Sequence, residues 1–254
     1  MSFVYKPPTE WIPPDSFPTE RLCQATEIAI DLETKDPNLK ELGPGYIRGD
    51  GEVVGISFAI DGYEDYFPFA HEQGFNFSKK KVLEFTKKIC ATNSDKIFHN
   101  STYDVGWLTK EGVTINGRII DTMIVAPLID ENQYWYSLNA LGREYINEGK
   151  TEAELNAAAE EWGLDPKAEM WRLPSAYVGT YATQDAALTL KLWNHFKILL
   201  EEQNLWNVFD LEMRVLPVIL AMKQKGVRVD LERAETLKTQ LVKREKDIIQ
   251  QIKK

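Results

Sequence analysis

Short apolar runs bounded by turn residues dominate the first hundred positions, and they predict strands. The runs at 25–32 and 53–60 are rich in Ile, Val, Ala and Phe, which is typical of buried strands. Asp61-Gly62 directly after the second run is a hairpin signal that leads into a third strand at 66–69. A fourth short strand is predicted at 96–99.

Helical periodicity replaces this pattern further along the chain. Helices are predicted at 78–91, 103–111, 137–146 and 152–162. Residues 119–128 indicate a strand that turns into a helix, with Asp121 at the N-cap, and 175–202 predicts one long helix or two abutting ones. Strands that come first as a group and then alternate with helices favour an α/β fold, with a mixed central sheet and helices on its faces.

Two irregular segments are predicted in the N-terminal part. Prolines and aromatic residues fill the first twenty positions, and proline disfavours both helix and interior strand. We therefore predict an extended arm over 1–24, pinned to the body by Trp11 and Phe17; disorder is the alternative. The Gly/Pro-rich stretch 36–51 predicts a loop.

The pattern changes after residue 203. Residues 208–223 predict a helix and 231–254 a charged helix whose apolar positions fall close to one face; these positions are Leu237, Leu241, Ile248 and Ile252. Because this helix has no C-cap signal, we expect 205–254 to pack on segments beyond this sequence. A terminal helix that frays against its own domain is the alternative.

Composition narrows the function classes. The net charge of −9 over 254 residues argues against a broad basic nucleic-acid clamp, but it suits a site in which carboxylates hold metal ions. The two cysteines, Cys23 and Cys90, are far apart, and we interpret them as reduced thiols of a cytoplasmic protein. The sequence has neither a signal peptide nor an apolar run long enough to cross a bilayer.

Three pairs of polar residues are candidates for chemistry. Asp31 and Glu33 end the first strand, and the side-chain period of two places both on one face. Tyr181 and Asp185 are spaced i, i+4, and the small apolar residues that follow indicate a buried Asp185. A buried carboxylate is costly unless it is paired or bound to metal. The alternatives are a solvated acid pair and an Asp185 satisfied by an arginine or the backbone.

The third pair is Asn100 and Asp104, which share one helix face if that junction is already helical. The alternative is Asn100 as a helix cap with Asp104 as a first-turn acid. The four acids could converge on two divalent cations, which can activate a water and stabilise a leaving oxygen of a phosphodiester.

In order and spacing these segments resemble the exonuclease motifs of the DEDD superfamily, in its tyrosine branch. They are Ile30-Asp31-Leu32-Glu33-Thr34, Asn100-x-x-x-Asp104 and Tyr181-x-x-x-Asp185. The flanking stretches 99–108, 121–123, 137–141 and 181–193 resemble the proofreading domain of family A DNA polymerases, and the arm and the 35–51 loop resemble bacteriophage members. The resemblance implies a ribonuclease H-like exonuclease domain at 25–203, followed at 204–254 by the first helices of a truncated polymerase portion.

The resemblance also implies a role for each matched acid. Asp31, Glu33 and Asp185 would hold a first Mg²⁺, with Asp31 bridging to a second. Asp104 would hold the second ion mainly through water, and Mn²⁺ would substitute for Mg²⁺. Tyr181 would hydrogen-bond the attacking water.

Substrate contacts follow in the same way. Leu32 and Thr34 would flank the terminal nucleotide, and Asn100 would contact the substrate backbone or support the ligands. Arg48 is a candidate phosphate contact in the 36–51 loop, with surface solvation as the alternative.

The implied reaction is hydrolysis of the last phosphodiester at a single-stranded or frayed DNA 3′ end, which proofreads for the polymerase during replication. The implied partners are that DNA end and the remaining polymerase segments, in cis or as a separate chain; no membrane is involved. Without palm or fingers, this sequence should not synthesise DNA. The rival functions are an RNA-trimming exonuclease of the same superfamily, a catalytically silent scaffold for a polymerase, and a structural α/β domain with unrelated surface acids.

Overall fold

The computed structural model describes residues 9–253. Within them, one mixed sheet has five strands in the order β3-β2-β1-β4-β5. The strands are β1 (Glu27–Lys35), β2 (Glu52–Ile60), β3 (Tyr63–Pro68), β4 (Asp95–Phe98) and β5 (Ile119–Asp121). The helices are α1 (Thr19–Gln24), α2 (Leu39–Leu42), α3 (Gly45–Arg48), α4 (Lys79–Cys90), α5 (Ser101–Lys110), α6 (Thr122–Ile129), α7 (Leu138–Ile146), α8 (Ala153–Trp162), α9 (Ser175–Glu202), α10 (Trp206–Lys225) and α11 (Leu231–Ile252).

The central strand β1 pairs antiparallel with β2 and parallel with β4. The hairpin predicted at Asp61-Gly62 is confirmed, since Ile60 pairs with Tyr63 across that turn. Strand β1 continues beyond the predicted end at residue 32, because the pairing with β2 resumes after a bulge and reaches Lys35. The predicted mixed α/β architecture is therefore confirmed, and Asp31 and Glu33 both lie inside a paired strand.

Alternating side chains of β1 face two different layers. Ile28, Ile30 and Leu32 belong to the hydrophobic cluster that also contains residues of α4 and α5. Ala29 belongs to a second cluster, which contains residues of α9 such as Trp193. Of the two possibilities for 175–202, the structure has one continuous helix of 28 residues, so a single rigid element crosses the sheet on the Asp31 face.

The extended arm was predicted too far along the chain. Residues 1–8 lie outside the described part, and 9–18 have no regular structure, but Thr19–Gln24 form α1 and bury Leu22. Pro18 is the last proline before Pro37, so no proline interrupts the backbone hydrogen bonding of α1. The predicted pins are confirmed: Trp11 occupies the space beside Gly179, and the Phe17 ring stacks on Phe67 at 5.5 Å.

The 36–51 segment is also more ordered than the predicted loop, because it contains the short helices α2 and α3. Asp36 organises them by accepting the Gly45 N–H at 2.9 Å and by pairing with Arg48 at 3.3 Å. Helices of four residues are too short to show a periodic pattern in the sequence.

Contacts divide the chain into two compact units, 1–220 and 221–254. In the first unit α10 buries Phe209, Met213, Leu216 and Leu220. In the second, Asp230 caps the start of α11, and its side chain accepts the Arg233 N–H at 3.0 Å. The predicted apolar positions of α11 are exposed. None of the helices in 9–253 combines the length and apolar character needed to cross a bilayer. The predicted domain boundaries at 24 and 203 stay predictions.

Candidate active site

The three acids predicted at β1 and α9 come together on one face of the sheet. Carboxylate oxygens of Asp31, Glu33 and Asp185 all lie within 4.8 Å of one another. The strand places the first two on one side, since Leu32 between them points into the opposite core. Opposite Glu33 on β2 stands Gly55, and the Tyr66 ring fills the space that a side chain at Gly55 would take.

The fourth acid, Asp104, is carried by the first turns of α5. Its side chain is 4% exposed, and burial raises its pKa by more than the nearby backbone N–H of Leu32 lowers it. Asp104 is not one of the group within 4.8 Å, but the charge of Asp31 is close enough to raise its pKa. Asp104 therefore lies close to Asp31 and Glu33 on β1.

A buried carboxylate fixes the start of α5. Asp121 accepts the backbone N–H groups of Asn100 at 3.0 Å and Ser101 at 2.7 Å, the Ser101 hydroxyl at 2.7 Å, and the Met123 N–H at 2.9 Å. The prediction that Asp121 caps the helix that follows it, α6, is confirmed. Asn100 has φ = 72°, a conformation that Asn tolerates better than most residues. Its side chain makes no capping bond.

Tyr181 and Asp185 project from one face of α9, and both contact a lysine that the sequence analysis did not identify. The Lys150 ammonium donates to the Tyr181 hydroxyl at 3.0 Å and forms an ion pair with Asp185 Oδ2. Lys150 lies in the segment between α7 and α8. No periodicity or motif marks it in the sequence, because its position depends on contacts with distant elements.

Burial raises the pKa values of all four acids, and the charge of a neighbouring acid adds to each rise. The pKa of Asp31 rises to about 8, first through burial and then through the charge of Asp185. The pKa values of Glu33, Asp104 and Asp185 also rise, in each case mainly through burial. Lys150 opposes the rise at Asp31, Glu33 and Asp185. One ammonium therefore offsets only part of the negative charge that these carboxylates would carry.

The donor set fits a hard divalent cation. Carboxylate oxygens are the ligands that Mg²⁺ and Mn²⁺ prefer, and a nearby cation would lower the raised pKa values. Asp185 Oδ1 is buried and has no hydrogen-bond partner among the described residues. An unpaired buried carboxylate oxygen is costly, and a metal ion bound at Asp185 would satisfy it.

The residues predicted to contact the substrate differ in the exposure of their side chains. Thr34 donates to or accepts from the Tyr103 hydroxyl at 2.7 Å, and both line a cleft of about 350 Å³. The Leu32 side chain is 7% exposed and lies in the core. Asn100 is exposed at the start of α5.

Arg48 is paired with two acids that do not belong to the acid cluster. Its guanidinium is paired with Asp36 at 3.3 Å and Asp50 at 2.9 Å, and it also donates to the Gly43 carbonyl. These bonds hold the α2–α3 segment together, and any phosphate contact by Arg48 would compete with them. The functional roles of all these residues stay predictions.

Comparisons with known proteins identify relatives of this chain. The family model for the 3′-5′ exonuclease domain of DNA polymerase A matches residues 18–201. The DNA-directed DNA polymerase of Pseudomonas phage M6 is 34% identical over 100% of this chain and 40% of its own length. DNA polymerase DpoZ of Salmonella phage PMBT28 is 30% identical over 84% of this chain and 33% of its own length. The chain thus spans well under half the length of these relatives.

The fold has relatives among solved structures. Brucella melitensis NrnC with bound Mg²⁺ superposes with a TM-score of 0.58 at 19% identity, covering 82% of this chain and 90% of that one. At this identity the likeness shows the fold alone, and it agrees with the predicted ribonuclease H-like exonuclease architecture. The family match and the phage relative show that this chain belongs to the 3′-5′ exonuclease family of the family A DNA polymerases.

Proposed function

We propose that this chain removes nucleotides from single-stranded or frayed DNA 3′ ends with two divalent metal ions, and that it proofreads for a family A DNA polymerase. The observation that carries the proposal is the convergence of Asp31, Glu33 and Asp185 within 4.8 Å, beside Asp104 and with Tyr181 one turn before Asp185 on α9. Bound Mg²⁺ or Mn²⁺ would supply a water nucleophile of lowered pKa and stabilise the leaving oxygen.

The acids and Tyr181 would have separate roles in this reaction. Asp31, Glu33 and Asp185 would hold one ion, and Asp31 with Asp104 would hold the second. The Tyr181 hydroxyl is positioned by Lys150 at 3.0 Å and would orient the attacking water. Its pKa is raised, mainly by burial and then by Asp185, so the phenol stays protonated and can donate a hydrogen bond.

The cleft that begins at Thr34, next to Glu33, could take the unpaired terminal nucleotide. It is about 350 Å³ and is lined by Thr34 and Tyr103 together with Lys40, Lys167 and the acids Asp36, Glu41 and Asp165. A terminal base can reach such a cleft only after it separates from its partner, and a mismatched end separates at a lower cost than a paired one. Selection would therefore act on strand state and not on sequence.

The experiment uses a 5′-labelled single-stranded DNA with Mg²⁺ or Mn²⁺, beside an EDTA control and an Asp31→Ala/Glu33→Ala double variant. We expect a ladder that shortens from the 3′ end and is absent in both controls. Duplexes with a matched or mismatched 3′ end test the proofreading preference, and an RNA of the same sequence tests the RNA-trimming alternative. A folded protein that shortens none of the DNAs with either metal would refute the proposed reaction.

We also propose that the polymerase segments found in the longer relatives pack on α10 and α11. Exposed apolar residues on α10 support this, among them Leu211, Val215 and Val218, as do the exposed apolar positions of α11. Hydrogen exchange on the isolated chain tests it, since 231–254 should exchange rapidly without a partner. Strong protection throughout that segment in a monomer would contradict the proposal.

A further inference from the structure

Lys150 contacts both members of the Tyr181–Asp185 pair. Its ammonium donates to the Tyr181 hydroxyl at 3.0 Å, lies 4.9 Å from the centre of the tyrosine ring, and forms an ion pair with Asp185 Oδ2. The lysine side chain is only 17% exposed. A lysine in this position is a fixed positive charge inside a cluster that otherwise consists of carboxylates.

The backbone around Lys150 is held by the two helices that flank the site. The Lys150 N–H donates to Asn139 Oδ1 of α7 at 2.9 Å. On the other side, Gln184 of α9 accepts the Thr151 N–H at 2.6 Å and donates to the Gly149 carbonyl at 3.1 Å. Gln184 immediately precedes Asp185, so the same turn of α9 that presents the carboxylate also holds the segment that carries the lysine.

Gly149 allows this close approach. A Cβ atom at this position would lie 2.8 Å from Arg143 Nε and 3.0 Å from Asn139 Oδ1, so a larger residue would require these side chains, including the acceptor of the Lys150 N–H, to move. The backbone contacts of residues 149–151 and the side-chain contacts of Lys150 thus act together. They offset the rotamer entropy that a long lysine side chain loses when it is fixed.

The contacts leave the two oxygens of Asp185 with different partners. Oδ2 is paired with Lys150, whereas Oδ1 is buried without a hydrogen-bond partner among the described residues. At Tyr181 the ammonium donates to the phenol oxygen, which is the acceptor in this contact. Lys150 therefore restricts the orientation of both the Asp185 carboxylate and the Tyr181 hydroxyl.

We propose that Lys150 is a positioning residue of the hydrolytic site, which orients the Tyr181 hydroxyl and one Asp185 oxygen and at the same time limits the affinity of the site for divalent cations. This inference rests on the proposed function. The limit on affinity follows from electrostatics, because a positive charge within the acid cluster repels an incoming metal ion at an effective dielectric well below that of water.

The test compares Lys150→Met with the wild-type chain in two assays. Mn²⁺ binding without DNA is followed by electron paramagnetic resonance, and DNA cleavage is followed in single turnover at saturating metal. We expect Mn²⁺ to bind about tenfold more tightly to the variant, since one repulsive charge is gone. Cleavage at saturating metal should slow by roughly tenfold to a hundredfold, the usual effect of losing a residue that orients a metal ligand.

Two further variants sharpen the result. Lys150→Arg keeps the charge and the donors and should recover part of the cleavage rate, with Mn²⁺ affinity near wild type. Lys191→Met removes an exposed lysine that pairs with Glu148 at 2.7 Å and should change neither assay. If Lys150→Met does not fold, as judged by circular dichroism, Lys150→Gln keeps a donor without the charge and is measured in its place.

Two outcomes would overturn the inference. Tighter Mn²⁺ binding with an unchanged cleavage rate would mean that Lys150 only occupies the place of a metal ion. Unchanged or weaker Mn²⁺ binding would mean that its charge does not limit metal affinity. If the wild-type chain cleaves no DNA, the proposed reaction and the positioning role fail together, and the Mn²⁺ titration still decides whether Lys150 limits metal affinity.

Discussion

Replacing Asp121 by Asn should destabilise the protein and slow cleavage, although Asp121 belongs to none of the exonuclease motifs. Its carboxylate is 1% exposed and accepts four hydrogen bonds, two at each oxygen. Three of them come from Asn100 and Ser101 at the start of α5. These bonds hold the left-handed turn that sets the direction of the helix carrying Asp104.

The size of the effect follows from these bonds. The amide side chain of the Asp121→Asn variant keeps one oxygen that can accept hydrogen bonds. Its NH₂ group replaces the other oxygen and faces the two groups that donated to that oxygen. If that oxygen is the one bound to Ser101, two bonds to a charged acceptor are lost, each contributing about 1.5–3 kcal/mol, and a backbone N–H faces another donor. The Ser101 hydroxyl can rotate to accept from the new amide, which recovers part of the loss. We expect the free energy of unfolding to fall by about 2–4 kcal/mol.

Urea unfolding of Asp121→Asn and wild type in EDTA measures this change without any contribution from metal. Asn100→Gly is the matched control, because glycine adopts the φ of 72° found there at no steric cost, and it should change stability by less than about 1 kcal/mol. Cleavage by Asp121→Asn should slow by roughly tenfold or more, since Asp104 loses its support. A stability loss below about 0.5 kcal/mol with normal cleavage would refute the reasoning.

Three other predictions concern stability and are measured by urea unfolding. Burial lowers the pKa of His71 from 6.5 to about 4, so the stability that neutral His71 contributes is present above pH 6.5 and is lost as the pH falls toward 4. The difference in unfolding free energy between wild type and His71→Leu should therefore shrink by up to about 3 kcal/mol over that window. A difference that stays constant with pH would contradict the assignment. Gly106→Ala should cost about 1–3 kcal/mol because the new methyl group would overlap the Tyr46 ring, and a neutral result would mean that the ring moves freely. Lys96→Met should cost about 2–4 kcal/mol, since the buried ammonium donates to three backbone carbonyls at 2.6–3.0 Å; the exposed Lys88→Met is its control and should stay within about 0.5 kcal/mol.

Local sequence pattern predicted the elements that carry the acids. Asp31 and Glu33 follow an apolar run, and strand alternation alone places them on one face. Asp185 precedes small apolar residues within a long periodic stretch, which indicated a buried carboxylate, and the structure leaves it 3% exposed. In these cases the information lies within a few positions of the residue itself.

The residues that support the acids were not predictable in the same way, because their partners are distant in sequence. Asp121 was predicted as the cap of its own helix, but its bonds to the start of α5 span about 20 positions. Lys150 lies 35 positions before Asp185 and reaches it only because Asn139 and Gln184 hold its backbone. The sequence alone indicates which acids could bind metal. The orientation of those acids depends on contacts that form only when the chain folds. We therefore expect substitutions at such supporting positions to alter rate and metal affinity while leaving the predicted ligand set intact.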